Sequence, residues 1–287
     1  MLVTRISALA GGLVLLGSAL TAGTAQASVA TSSTSAMVSV SITKAHNVGM
    51  PTTIQPGVST FRVTTEAKRS SFQLVQLATG YTLDQAIADI GAGLEKNKMK
   101  ALKRFEANVT LLGGVNVEAG KVGKLTVNLP VGSYYAADIE RNRPSAFTAF
   151  TVTGADTGAT MPSGSKVRAI DSTSWAKGPK SIARRGMLTF ENFSDSNHFA
   201  ALIKLRKGKT AKDFGAWVDA AMQGDEGPPP VDFNVGFDGG VVSPGQTAAM
   251  SYKLPKGSYV LVCFWPDASM GGMPHAFMGM YRGITLT

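Results

Sequence analysis

The chain has one cysteine, Cys263, and three histidines, His46, His198 and His275. Cys263 closes an apolar segment at 258–263. A loop of eleven residues, including Pro266, Gly271, Gly272 and Pro274, separates it from His275, and Met278 and Met280 follow. His198 lies in the segment 188–203, where an apolar run breaks at Asn192, turns through Ser194 and Asp195 and resumes at the histidine. An exported chain ordinarily uses cysteines in pairs. A lone thiol there is buried and inert, joined to another chain, or bound to a metal. A buried cysteine with no such duty is a small apolar side chain, and a lone histidine is more often structural than a ligand.

The segment 166–287 resembles the cupredoxins, the type 1 blue copper proteins, and 38–153 resembles them in architecture only. That family sets its first ligand histidine after an Asn-containing turn. It gathers a Cys, a His and a Met on the loop between its last two strands. The Gly-x-Tyr-x-x-x-Cys run of its penultimate strand is matched by Gly257, Tyr259 and Cys263. Its His-x4-Met before a final strand is matched by His275, Met280 and the segment 283–286. The resemblance implies that His198, Cys263 and His275 are three strong copper ligands. Met280 is then the weak axial one, with Met278 as a substitute. A thiolate and two imidazoles with a long thioether contact are the donor set of a blue copper site, and the soft sulfurs favour Cu(I).

Two departures narrow the function. The Cys-to-His loop is longer than in plastocyanins, azurins or the copper nitrite reductases. Val262 and Phe264 flank Cys263, where multicopper oxidases and nitrite reductases place a bridging His. Oxygen or nitrite reduction is therefore not expected, and no catalytic residue is assigned. The expected role is a single-copper protein for electron transfer or copper handling. The alternative is a metal-free secreted β-sandwich acting as a binding or structural module.

The elements that must hold these residues occur twice. Each half has two apolar strands, at 60–64 and 72–77 and again at 187–191 and 199–205. Each then shows a Leu-x-x-Gly, a capping-box pattern (Thr82 to Gln85; Thr210 to Asp213) and a helical stripe. The stripes are Leu83, Ile87, Ile90 and Leu94, and Phe214, Trp217, Val218 and Ala221. Each half has a glycine pair, Gly113-Gly114 and Gly239-Gly240, and the phrase Leu-Pro-x-Gly-Ser-Tyr, at 129–134 and 254–259. Short strands punctuated by Gly and Pro favour an all-β fold of two tandem antiparallel Greek-key sandwiches, each with a short helical insertion. The expected divisions are a cupredoxin-like domain without ligands at 38–154, a linker at 155–165 and a cupredoxin-like domain with the copper site at 166–287. In the first half Ser70 and Asp138 fall where His198 and Cys263 stand in the second, so no metal is expected there. His46 is expected to be exposed or capping.

Residues 1–27 read as a signal peptide. Arg5 precedes an apolar run at 6–20, and Ala25-Gln26-Ala27 fits a cleavage site after Ala27. Residues 28–37 read as a mobile leader. The expected location is therefore secreted or extracytoplasmic, with no integral membrane segment. The formal net charge of +9 suits a redox partner protein or an anionic cell-surface polymer; nucleic acid is not expected for an exported chain. Lys96, Lys98, Lys100, Lys103 and Arg104 read as one solvated helix face. Asn108-Val-Thr and Asn192-Phe-Ser fit the glycosylation triplet only weakly. No hydrolase, phosphate-loop or Cys-x-x-Cys motif is present.

Overall fold

A computed structural model of the chain describes residues 35–140, 146–225 and 227–287. The signal-peptide reading at 1–27 lies outside the described residues, as does most of the 28–37 leader. Ala36 and Met37, placed at the end of that leader, already belong to a strand.

The first half builds β1 (Ala36–Ile42), β2 (Val48–Gly49), β3 (Thr53–Ile54), β4 (Gly57–Thr65) and β5 (Arg69–Leu77). Two helices follow, α1 (Leu83–Glu95) and α2 (Met99–Asn108), then β6 (Val109–Glu118), β7 (Gly123–Leu129), β8 (Gly132–Asp138) and β9 (Phe147–Val152). The second half builds β10 (Ser165–Asp171), β11 (Ser174–Trp175), β12 (Ser181–Ile182), β13 (Arg185–Asn192) and β14 (Ala201–Leu205). It continues with α3 (Ala211–Met222), β15 (Val231–Asp238), β16 (Thr247–Lys253) and β17 (Gly257–Val262). The short β18 (Pro266–Asp267) and β19 (Met273–Pro274), a 3₁₀ turn (His275–Met278) and β20 (Tyr281–Leu286) complete it.

These strands make two β-sandwiches, as the repeats imply. Each half has its own five-stranded sheet, ordered β3-β9-β8-β5-β6 and β12-β20-β17-β14-β15. The opposing sheet is shared. It runs β11-β10-β13-β16-β7-β4-β1-β2 without a break, because β16 pairs antiparallel with β7 at Ala248–Val127, Ala249–Thr126 and Met250–Leu125. The sheets are not purely antiparallel. β1 lies parallel to β4, and β10 to β13. Parallel neighbours need a crossover, and here the chain makes it by visiting the facing sheet through β3 and β12.

Local chemistry explains the repeated phrases. The Tyr134 and Tyr259 hydroxyls donate back to the Pro130 and Pro255 carbonyls at 2.8 and 2.7 Å. Each is a tyrosine corner, tying a strand entry to the turn before it. Both capping boxes form, at Thr82–Gln85 and Thr210–Asp213. The glycine pairs mark where the halves touch. A Cβ on Gly113, whose φ is +98°, would lie 2.5 Å from the Ala248 Cβ, and one on Gly240 would lie 2.2 Å from the Gly114 nitrogen. One continuous core runs through both halves, from Phe61, Phe72 and Leu125 to Phe190, Tyr259 and Met280. No helix among the described residues is long and apolar enough to cross a membrane. All five basic residues are exposed; Lys100, Lys103 and Arg104 share one face of α2, while Lys96 and Lys98 stand at the corner between α1 and α2.

Candidate metal centre

His198, Cys263 and His275 come together. All three are buried, and their donor atoms lie within 4.8 Å of one another. The His275 Nδ1 is 2.9 Å from the His198 Nδ1 and 3.7 Å from the Cys263 Sγ. The two rings stand 4.5 Å apart between centroids, tilted by 54°.

Each ligand is fixed by its own element. Asn192 ends β13, and its buried side chain organises the turn that follows. Its Nδ2 donates to the Ser196 and Val242 carbonyls, and its Oδ1 accepts from Ser194. His198 then pairs with Val242 through two backbone bonds, of 3.2 and 2.7 Å. The next strand, β14, starts at Ala201, three residues later than the histidine. Cys263 directly follows β17, and its N–H donates to the Met280 carbonyl at 3.3 Å. The eleven-residue loop closes because β18 pairs with β19, Pro266 opposite Pro274, and the His275 N–H donates to the Trp265 carbonyl at 2.9 Å. The extra length therefore folds as a small hairpin that returns His275 to the sulfur. Met280 is fully buried beside this turn, and its N–H donates to the His275 carbonyl. Met278 is only half-buried.

The electrostatics suit a metal rather than a charge relay. Burial, and secondarily the neighbouring His275, push His198 down to about 3, outweighing a smaller favourable pull from Asp171. Burial also lowers His275. Burial pushes the Cys263 thiol up to about 12. Both rings are therefore neutral, with lone pairs available, while the thiol keeps its proton until a cation replaces it. A donor about 2.0–2.3 Å from an ion stands roughly 3–4 Å from the next donor, as the His275 Nδ1 does from the His198 Nδ1 and the Cys263 Sγ. The donor set, one thiolate and two imidazoles with a buried Met adjoining, fits a single copper ion. The His198 Nε2 is buried without a hydrogen-bond partner.

The surrounding shell includes residues the sequence did not point to. The Trp265 N–H donates to the Cys263 Sγ at 3.5 Å, and its indole Nε1 donates to Glu106 Oε1 at 2.7 Å. Glu106 belongs to α2, in the other half. The Trp175 indole donates to the Met280 carbonyl at 3.2 Å. His275 lines a polar cleft of about 390 Å³ with Glu106, Asp195, Asn197 and Asp267. The position of Trp265, two residues past the cysteine, was a signal of a kind. Glu106 offered none, since 159 residues separate it from its partner.

Among the described residues of the first half, no such cluster stands at the matching place. Asp138 and Ser70 are buried there; Asp138 accepts from the Ser71 N–H, and Ser70 bonds Thr65. His46 is neither exposed nor a cap. Its side chain is 13 % exposed and its Nδ1 meets Asp138 Oδ2 at 2.7 Å, because the turn after β1 folds it inward at a φ of +64°. Asn192 is 1 % exposed with its amide engaged, so it cannot serve as a glycan acceptor.

No family model matches the chain, and no curated protein matches it. Solved structures do resemble it. Among them are blue copper proteins. Auracyanin B is 18 % identical over 45 % of this chain and 93 % of its own, with a TM-score of 0.28. The auracyanin of Roseiflexus castenholzii is 19 % identical over 42 % of this chain and 94 % of its own, at 0.27. The copper-containing nitrite reductase of Thermus scotoductus spans more, 88 % of this chain and 61 % of its own, at 8 % identity and 0.22. Values this low leave the reading to the geometry of the site itself.

Proposed function

We propose that this is an exported single-copper protein that carries electrons or handles copper. His198, Cys263 and His275 would hold the ion, and Met280 would be a further, weaker sulfur donor. The observation that supports this is the meeting of the two imidazole Nδ1 atoms and the sulfur at 2.9 and 3.7 Å. Copper, when bound, supplies a one-electron couple between Cu(I) and Cu(II). The chain's own part is to hold the donors on strand ends and a hairpin, so that little moves when the charge changes. The flanks of Cys263 are Val262 and Phe264, so no histidine leads from the thiolate to a second copper. His275, at the wall of the polar cleft, is the ligand nearest an outside partner. That partner is a redox protein, while the basic surface suits an anionic cell-surface polymer. Export rests on the reading of residues 1–27 alone.

Copper titration of the purified, thiol-reduced protein tests the reading. One equivalent should bind with an intense blue absorption, and Cys263→Ser should lose the colour. A folded protein that takes up no copper, or a Cys263→Ser variant with an unchanged spectrum, would overturn it.

A further inference from the structure

The apolar stripe of α1 is not buried as the spacing predicts. The buried residues of that helix are Ala86, Asp89 and Gly93. Leu83, Ile87 and Ile90 are only partly covered, and Leu94 is 48 % exposed. Facing them stand Val75, Phe105 and Trp265, and the space between is a cavity of about 280 Å³. The second half shows the filled counterpart. On α3, Phe214 and Val218 are buried, and the Phe214 ring packs 5.2 Å from Tyr281 and 5.7 Å from Trp217. Aromatic rings close that site, whereas aliphatic side chains leave the first one open.

Among the described residues, the uncharged polar side chains of the wall, Gln73 and Trp265, are already engaged. Gln73 uses both ends of its amide: Nε2 donates to the Leu74 and Val241 carbonyls, and Oε1 accepts from the Val241 N–H. Among the described residues, Glu95 is the one charged side chain on the lining. Among the described lining residues an anion would find no cationic partner and would meet the exposed Glu95 carboxylate, while a cation drawn into the apolar interior would lose its hydration. An apolar cavity of about 150 Å³ takes one benzene ring, so this one holds roughly two rings. We propose that the cavity between α1 and the sheet binds one small, uncharged, hydrocarbon-rich molecule of about two rings. Trp265 forms part of its wall and reaches the metal centre through its backbone bond to Cys263, so an occupant is placed to be felt there.

The test uses 6-propionyl-2-(dimethylamino)naphthalene, a neutral two-ring dye, titrated into the chelator-treated full chain. The outcome is thereby independent of copper. Dye emission should rise to saturation at one equivalent, with quenching of tryptophan emission that Trp265→Phe diminishes. Ala86→Phe, which fills the cavity, and Leu83→Asp, which charges its wall, should each weaken binding about tenfold or more. The anionic two-ring 5-(dimethylamino)naphthalene-1-sulfonate should bind about tenfold more weakly than the neutral dye. Near-ultraviolet circular dichroism establishes that each variant is folded, and either folded variant suffices. No saturable binding, equal binding by a folded variant, or equal binding of the anionic dye would overturn the proposal.

Discussion

Glu106 is where the first half reaches the candidate metal centre, and its chemistry makes the contact testable. Burial holds its carboxyl above the usual range and the nearby Asp267 adds to this, while the Trp265 indole pulls the other way. The folded protein therefore keeps this proton to higher pH than the unfolded chain does. The stability contributed is full at acid pH and is lost as pH rises through the folded value. Glu106→Gln keeps an acceptor for Trp265 and removes that loss. Its thermal midpoint should exceed that of the parent protein at neutral pH and converge with it at acid pH. Midpoints that differ equally at both would show that the carboxyl is not held protonated. Glu106→Ala, by contrast, leaves the Trp265 indole N–H unpaired and should destabilise at every pH.

Among the elements, the two tyrosine corners are the clearest case of a sequence phrase with a physical meaning. Tyr134 and Tyr259 are both buried, and each hydroxyl has one backbone acceptor four residues back. Tyr134→Phe and Tyr259→Phe should each cost about 1 kcal/mol. The corners are in separate halves and share no partner, so the double variant should cost about 2 kcal/mol, close to the sum. Urea titrations measure this. A double variant far from additive would mean that the corners communicate through the shared sheet. The helices make the same point from the other side. Both capping boxes could be read off Thr82–Gln85 and Thr210–Asp213. The stripe on α1 was just as clear, yet it lines a cavity, because periodicity says which face is apolar and not what covers it.

At the scale of the molecule, the halves are joined by more than a linker. β7 and β16 lie side by side, Leu111 N–H donates to Ser243 Oγ, and Gln73 clasps Val241. Calorimetry should therefore show one cooperative transition. A protease site placed between Gly158 and Ser163, once cut, should leave two pieces that stay together in gel filtration. Pieces that separate as folded monomers would show that the shared sheet contributes little.

Much was legible in the sequence. Scarce residue types in a spaced pattern, His198, Cys263 and His275, with Met280 just beyond them, pointed by resemblance to a soft-donor metal site, and repeated turn and capping phrases pointed to two sandwiches. Those signals are local or come in order along the chain, so one dimension carries them. Tertiary structure alone decided the rest. It closed the long loop with a β18–β19 hairpin, whose pairing depends on how far the chain turns back. It brought Glu106 to Trp265 and His46 to Asp138 across 159 and 92 residues. It ran one sheet through both halves, with glycines at the point of closest approach. Such contacts leave no periodicity in the sequence, because each depends on which surfaces meet when two packed layers come together.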